Sequence, residues 1–168
     1  RYGNVMGSRG SVIPFFIKLK ETGELPITDP NMTRFMISLE ESVKLVWHAF
    51  NNMQGGEIYV KKIPSMTITD IASAIDEKAV QKIIGIRPGE KIHEQMIGLE
   101  DAPHTYEYDD HYKILPAIYN WSSDPKRNEG GTKVDENFTY SSDQNKEWMS
   151  VKDLQQWIKA NREKIGQI

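Results

Sequence analysis

The sequence predicts an α/β fold, and three observations support that class. Hydrophobic residues make up 38% of the 168 residues and aromatic residues 10%, which is too rich for a disordered chain and sufficient for a buried core. Short apolar runs typical of strands alternate with segments in which apolar residues recur at the helical spacing. The chain length suits one domain. We therefore expect strands and helices to alternate around a common core.

The first predicted elements are a short strand at residues 2–6 and a helix from Ser11 to Lys20, joined by a glycine-rich turn. Ser11 is a favourable N-cap, and Pro14 in the first helical turn loses no intrahelical hydrogen bond. An extended segment over residues 25–28 follows this helix.

A second helix is predicted over residues 38–53, since Ser38 and Glu41 have the spacing of a capping box. Its apolar residues recur at the helical spacing, which places Trp47 at a position typical of a core. These apolar residues are Leu39, Val43, Val46, Trp47 and Phe50. A strand is predicted next, at residues 57–60.

A third helix is predicted after Thr67, because Thr67 and Asp70 have the spacing of a capping box. A last helix is predicted over residues 150–162, where Ser150 and Asp153 have the same spacing. Between these helices lie signals for strands and turns. In order, they are a strand at residues 82–86, a turn at 87–89, a short helix at 91–97, a hairpin or extended stretch at 106–115 and a polar loop at 122–132.

The charge balance and the residue types exclude several functional classes. With 21 basic and 24 acidic residues, the chain has a net charge of −3, which argues against nucleic-acid binding. No apolar run approaches the roughly 20 residues that span a bilayer, so no membrane association and a cytoplasmic location are expected. The chain has no cysteine, which excludes thiolate chemistry. His104, Asp109, Asp110 and His111 match no standard ligand spacing, so we predict no metal site.

Three segments carry groups that could bind a phosphate. The turn at residues 3–11 leads into a helix whose first N–H groups attract anions, although an ordinary tight turn has the same pattern. Arg34 lies in an apolar stretch, where it could bind a phosphate bidentately or lie on the surface with its stem packed down. Arg87 could hold a phosphate while Glu90 accepts from a sugar hydroxyl, or both could be solvated.

Taken together, these segments resemble the C-terminal half of the nucleotide-sugar 4,6-dehydratases of the extended short-chain dehydrogenase/reductase superfamily. The resemblance covers nearly the whole chain, and its blocks agree in order and spacing. The blocks are residues 1–5, 7–16, 25–29, 32–35, 55–58, 62–66 and 84–94. Residues 140–143 and 147–150 are similar to the branch of inverting UDP-N-acetylglucosamine 4,6-dehydratases, which serve pseudaminic acid synthesis.

The resemblance implies a two-part enzyme, an NADP-dependent lyase. An N-terminal Rossmann part would hold NADP and supply a Tyr-x-x-x-Lys pair, whereas residues 1–168, with a tail from residue 119, would bind the nucleotide-sugar. This sequence contains neither a dinucleotide fingerprint nor a Tyr-x-x-x-Lys pair. We therefore predict a C-terminal portion that holds no catalytic residue and is inactive without the Rossmann part. Unpaired strand edges predict self-association, and a homo-oligomer is expected.

The resemblance also implies substrate-binding residues in this chain. Asn4 would contact the nucleotide-sugar, and Thr28 would lie near the uracil through its backbone. Arg34 and Arg87 would pair with the diphosphate, and Glu90 with the ribose. The residues that would line the uridine diphosphate of UDP-N-acetylglucosamine are Arg9, Gly10, Ser11, Val12 and Ile13.

Two alternatives remain open. A related UDP-sugar enzyme, such as a 4-epimerase or the 4,6-dehydratase/epimerase of fucosamine synthesis, would need the same kind of nucleotide site. A non-catalytic module that binds a nucleotide-sugar or mediates assembly would share the fold without the chemistry. Product analysis tests the first alternative, since an epimerase leaves C6 oxygenated, and UDP binding tests the second.

Overall fold

The computed structural model describes residues 1–118, 124 and 126–167, which form a mixed α/β structure. The predicted fold class is therefore confirmed. The chain divides into two compact units. Unit 1 comprises residues 1–2, 40–62 and 95–141, and unit 2 comprises residues 3–39, 63–94 and 142–168.

The described residues form short strands and four α-helices. In chain order, the strands are β1 (Asn4–Val5), β2 (Glu24–Ile27), β3 (Thr33–Ile37), β4 (Ile58–Lys61), β5 (Ser65–Thr67), β6 (Val80–Ile83), β7 (Gln95–Ile97), β8 (Thr105–Glu107), β9 (His111–Ile114), β10 (Thr132–Lys133) and β11 (Tyr140–Ser141). The helices are α1 (Val12–Leu19), α2 (Leu39–Asn52), α3 (Ile68–Ile75) and α4 (Val151–Ala160). Short 3₁₀ helices cover Lys20–Thr22 and Ala102–His104.

Unit 2 is built on a three-stranded sheet in the order β1-β3-β5, with β1 parallel and β5 antiparallel to β3. Strands β2 and β6 form a separate parallel pair. Helices α1, α3 and α4 contribute Phe16, Ile71 and Leu154 to the core, where each of these side chains is buried. Burying a large apolar side chain stabilises a fold by about 1.5–3 kcal/mol, so this core holds the three helices in place.

Two helices begin at the caps that the sequence predicts. Asp70 N donates to Thr67 Oγ1 at 3.0 Å at the start of α3. Ser150 and Asp153 form a complete capping box at α4, with Asp153 N donating to Ser150 Oγ at 3.2 Å and Ser150 N to Asp153 Oδ2 at 3.1 Å. The hydrogen bonds from Ser150 lower the pKa of Asp153. Local hydrogen bonding of this kind depends only on neighbouring residues, which is why the sequence predicts it.

Unit 1 contains a four-stranded antiparallel sheet in the order β10-β8-β9-β4 and a two-stranded pair of β7 with β11. The predicted hairpin is confirmed as β8 and β9. The ring of Tyr112 on β9 lies 5.2 Å, centroid to centroid, from the rings of both Phe138 and Tyr140. This aromatic cluster and the ladder hydrogen bonds stabilise the unit.

Helix α2 does not bury the apolar face that its sequence pattern predicts. Its buried residues are Ser42 and Leu45, whereas Trp47 is 63% exposed and Phe50 is 71% exposed. The expectation that Trp47 lies in a core is wrong for this chain. The exposed apolar residues, which we call the α2 surface, are Val43, Val46, Trp47, Phe50 and Met53.

Two further predictions differ from the structure. The helix predicted at residues 91–97 is wrong, because Gln95–Ile97 form β7 and the residues before it are irregular. Arg34 donates to the carbonyl oxygens of Lys91 and Ile92, which a helix would have used for its own bonds. The strand predicted at residues 82–86 lies earlier, at Val80–Ile83, where it pairs in register with β2.

Some predictions lie outside the described residues. The start of the tail at residue 119 does so, and the loop at residues 122–132 does so in part, since residues 119–123 and 125 are not described. Within the described ranges, no helix combines the length and the apolar character needed to cross a membrane.

Candidate functional site

Unit 2 contains a cavity of about 370 Å³, within the range typical of small-molecule sites. Of the predicted site residues, only Arg9 does not line it; Arg9 is exposed. The predicted residues that line the cavity are Asn4, Gly10, Ser11, Val12, Ile13, Thr28, Arg34, Arg87 and Glu90. Residues far apart in the sequence are thus brought together on β1, the β1–α1 turn, α1, the end of β2, β3 and the loop after β6.

The turn between β1 and α1 presents a helix N-terminus to the cavity. Ser8 N donates to Val5 O at 3.2 Å, and Ser11 N donates to Ser8 O at 3.0 Å, so two successive bonds define the turn. Ser11 is the N-cap of α1, but its side chain does not cap the helix. Its hydroxyl oxygen is buried and has no hydrogen-bond partner among the described residues. A buried hydroxyl without a partner at a helix N-terminus is suited to a ligand oxygen.

Arg34 faces backbone carbonyls with most of its guanidinium. Its Nη1 donates to Thr33 O at 2.7 Å and to Ile92 O at 2.9 Å, and its Nη2 donates to Lys91 O at 2.8 Å. Its Nε lies 3.5 Å from a carboxylate oxygen of Glu94. Arg34 therefore ties the loop after β6 to β3, and a bidentate contact with a phosphate would require some of these bonds to be exchanged.

The guanidinium of Arg34 is largely buried and still carries its positive charge. Its side chain is only 12% exposed, and burial lowers the pKa of the guanidinium, while Glu94 and Glu90 oppose that shift. Arginine stays protonated at neutral pH in spite of such shifts, so the cavity wall carries a positive charge.

Arg87 is placed differently from Arg34. It is exposed, and no side-chain partner for it is found in the part of the chain that the structure describes. Arg87 N donates to Glu90 Oε2 at 3.1 Å, and Glu90 N donates to Arg87 O at 3.0 Å, so the two residues form a tight turn. The Arg87 guanidinium can therefore bind an anion without breaking an existing hydrogen bond.

A cluster of polar side chains behind Arg34 was not predicted from the sequence. Thr33 Oγ1 lies 2.8 Å from His93 Nδ1 and 2.6 Å from Ser142 Oγ. Ser142 N donates to Glu94 O at 2.8 Å. These bonds fix residues 93–94 against β3, which orients the same loop that carries Arg87. No local pattern reveals them, because Ser142 is distant in the sequence from the other members.

Most of the cavity wall is apolar. Besides the predicted Val12 and Ile13, the apolar lining residues include Phe15, Phe16, Met32, Met36, Ile71 and Ile84. Such a wall suits the face of a planar base, while the polar lining groups suit phosphate and hydroxyl oxygens. Among the described residues, no group of three or more His, Asp or Glu side chains is arranged to hold a metal ion.

Comparisons with known proteins identify relatives of this chain. A family model described as polysaccharide biosynthesis protein matches residues 1–116. The chain is 54% identical over 161 residues to the UDP-N-acetylglucosamine 4,6-dehydratase (inverting) of Campylobacter jejuni subsp. jejuni serotype O:23/36 (strain 81-176), with 92% of this chain and 48% of that protein covered. It is 46% identical over 119 residues to the UDP-glucose 4-epimerase of Rickettsia canadensis (strain McKiel), with 68% of this chain and 35% of that protein covered.

A solved structure has the same fold. The chain matches Pen from Bacillus thuringiensis with a TM-score of 0.81 and 30% sequence identity, over 96% of this chain and 49% of Pen. The chain spans about half the length of the curated dehydratases that it matches. The family model covers well over half of the chain, and the resemblance to inverting UDP-N-acetylglucosamine 4,6-dehydratases is confirmed by the sequence identity. The chain therefore belongs to the polysaccharide biosynthesis protein family.

Proposed function

We propose that this chain is the substrate-binding part of an inverting UDP-N-acetylglucosamine 4,6-dehydratase. The complete enzyme would form a UDP-4-keto-6-deoxy-N-acetylhexosamine for pseudaminic acid or another surface glycan. One observation carries the proposal: the residues implied by the resemblance, with the exception of Arg9, line a single cavity. The charge and hydrogen-bonding groups of that cavity match the parts of a uridine diphosphate.

Each part of the nucleotide has a complementary group in the cavity. The diphosphate would lie between the Arg87 guanidinium and the N-terminus of α1, where Ser11 Oγ can donate to a phosphate oxygen. Glu90 would accept from a ribose hydroxyl, since only one of its carboxylate oxygens is used by the Arg87 N–H. The uracil would lie against the apolar wall near Thr28. The chain thus binds and orients the substrate.

The hydride chemistry belongs to NADP, which the residues of this chain do not fit. The glycines of the turn after β1, Gly7 and Gly10, do not have the spacing of a dinucleotide-binding loop. The sequence also lacks the dinucleotide fingerprint and the Tyr-x-x-x-Lys pair. We therefore assign NADP to an N-terminal Rossmann part of the complete, cytoplasmic protein.

The α2 surface supports the proposal that another polypeptide part covers unit 1. Trp47 and Phe50 are the most exposed of its residues, at 63% and 71%. Contiguous exposed apolar residues mark an interaction surface in a stable protein. We propose that the Rossmann part packs on this surface in the complete protein, which itself forms a homo-oligomer.

Calorimetric titration with UDP tests the binding role. We expect the chain to bind UDP, and Arg87→Ala to raise the Kd by about tenfold or more, because a charged hydrogen bond contributes about 1.5–3 kcal/mol. Lys78→Ala serves as the control, since Lys78 is an exposed cationic residue of unit 2 that lies outside the cavity. A chain that does not bind UDP, or equal effects of the two substitutions, would contradict the proposal.

Turnover of UDP-N-acetylglucosamine with NADP tests whether this chain needs the Rossmann part for catalysis. The chain alone should give no product, whereas the complete protein should release a 6-deoxy-4-keto sugar nucleotide. Turnover by the chain alone would show that the oxidising machinery lies within these residues, against the proposal.

The second candidate is a UDP-sugar 4-epimerase, which the identity to proteins named UDP-glucose 4-epimerase favours. Mass analysis of the product separates the two reactions, because a dehydratase removes one water and an epimerase leaves the mass unchanged. UDP binding without turnover by the complete protein would instead indicate a non-catalytic nucleotide-sugar module.

A further inference from the structure

We propose that the C-terminal segment, residues 150–167, is a positioning element for the nucleotide cavity of unit 2. The proposal rests on the proposed function, since it concerns affinity for the same nucleotide. None of the described residues of this segment lines the cavity, and the family model, which ends at residue 116, does not reach it. Any effect on binding is therefore indirect, and the contacts of the segment with the turn between β1 and α1 supply a route for it.

The segment holds that turn at Gly7. Gly166 N donates to Gly7 O at 2.8 Å. A Cβ on Gly7 would lie 2.9 Å from Cη2 of Trp157 and 3.3 Å from Cγ1 of Ile165, so these side chains occupy the space beside the glycine. Gly7 has a φ of 73°, a conformation that glycine adopts without strain. One hydrogen bond and two apolar contacts thus fix the backbone at the start of the turn.

The position of Gly7 determines where the groups that face the cavity lie. The bonds from Ser8 N to Val5 O and from Ser11 N to Ser8 O leave little freedom between Gly7 and α1. Residues 10–13 follow directly and line the cavity, with the buried Ser11 hydroxyl among them. Because binding groups must be held to within about half an ångström, a displacement at Gly7 weakens the contacts of this helix N-terminus with a phosphate.

The segment is itself anchored to the rest of unit 2. Leu154 of α4 is completely buried in the core of unit 2. Gln155 Nε2 donates to Glu77 Oε1 at 3.2 Å, and Met149 N, just before the segment, donates to Ser65 O at 2.9 Å. These contacts hold helix α4 against the core of unit 2. Trp157 contacts Gly7 from this anchored helix, and Trp157 is therefore a positioning residue.

Calorimetric titration of UDP into variants of the chain tests this role. We expect Trp157→Ala to raise the Kd by about tenfold and Trp157→Phe, which keeps an aromatic ring beside Gly7, by about twofold. Trp148→Ala is the matched control, because Trp148 is 46% exposed, its indole N–H donates to the nearby Asn145 O, and it does not line the cavity. Its Kd should stay within about twofold of the wild-type value.

Hydrogen exchange supplies a readout that a general loss of stability would not produce. In Trp157→Ala, the amides of residues 8–13 should exchange faster, while those of β3 keep their wild-type rates. If Trp157→Ala does not fold, Ile165→Ala takes its place, since Ile165 lies beyond α4; we expect a rise in Kd of about threefold.

The outcomes distinguish this inference from the proposed function. The positioning role alone is overturned if the wild-type chain binds UDP and the folded Trp157→Ala variant has an unchanged Kd. If Trp157→Ala does not fold, an unchanged Kd of Ile165→Ala has the same meaning. Wild-type chain that does not bind UDP overturns the proposed function and this inference with it.

Discussion

Substitution by alanine should have different effects at Arg34 and Arg87, although both arginines line one cavity. Arg34 donates three hydrogen bonds to the backbone carbonyls of Thr33, Lys91 and Ile92. Arg87 makes no such side-chain bond among the described residues, and it is exposed. We therefore predict that Arg34→Ala destabilises the fold, whereas Arg87→Ala weakens ligand binding without affecting stability.

The magnitude for Arg34 follows from the carbonyl groups that it leaves behind. Thr33 is buried and Ile92 is half-buried, and each carbonyl keeps one partner without Arg34. Thr33 O also accepts from Ser142 Oγ at 3.3 Å, and Ile92 O also accepts from Thr33 N at 3.0 Å. Arg34→Ala therefore removes hydrogen bonds from a charged donor without leaving a buried carbonyl unpaired. A hydrogen bond to a charged group contributes about 1.5–3 kcal/mol, and removing a largely buried charge recovers part of that loss. We expect a loss of about 2 kcal/mol in the free energy of unfolding for Arg34→Ala. For Arg87→Ala we expect less than about 0.5 kcal/mol.

Urea unfolding followed by far-ultraviolet circular dichroism measures both values. Arg34→Lys completes the series, because one ammonium can replace only some of the bonds that the planar guanidinium makes. Its loss should fall between those of the wild type and Arg34→Ala. Equal stability of the Arg34→Ala and Arg87→Ala variants would refute the reasoning, since it would mean that the carbonyl bonds of Arg34 contribute nothing.

Three further predictions concern packing, capping and pH. Leu154→Ala, at a fully buried position, should cost about 2–5 kcal/mol in urea unfolding, whereas the exposed control Leu99→Ala should cost less than about 0.5 kcal/mol. Thr67→Ala removes the N-cap of α3 and should lower the thermal midpoint by an amount equivalent to about 1 kcal/mol; an unchanged midpoint would contradict the role of the cap. Burial lowers the pKa of His111 below its ordinary 6.5, against the opposing bond from Asp110, so the unfolded state takes up the proton first and stability falls as the pH drops through that value. Chemical denaturation between about pH 7 and pH 5 should show this decline in the wild type and a flatter profile in His111→Asn; parallel profiles would exclude His111 as its source.

The comparison between sequence and structure separates local from distant interactions. The caps at Thr67 and Ser150 and the hairpin of β8 and β9 were predictable, because each depends on residues a few positions apart. The helix predicted at residues 91–97 was wrong because the carbonyls of that stretch bond to Arg34, which is distant in the sequence. The same distance hid the polar cluster that includes Ser142.

The sequence by itself determined the local features of this protein. These are the alternation of strands and helices, the helix caps, the glycine-rich turn before a helix, and the presence of two arginines in segments that could bind a phosphate. The tertiary structure alone decided which residues share a cavity, which arginine donates its hydrogen bonds to backbone carbonyls, and which apolar helix face stays exposed. The physical reason is that capping and periodicity act over a few residues. Burial, charge pairing and cavity shape depend on side chains that only the folded chain brings within reach of one another.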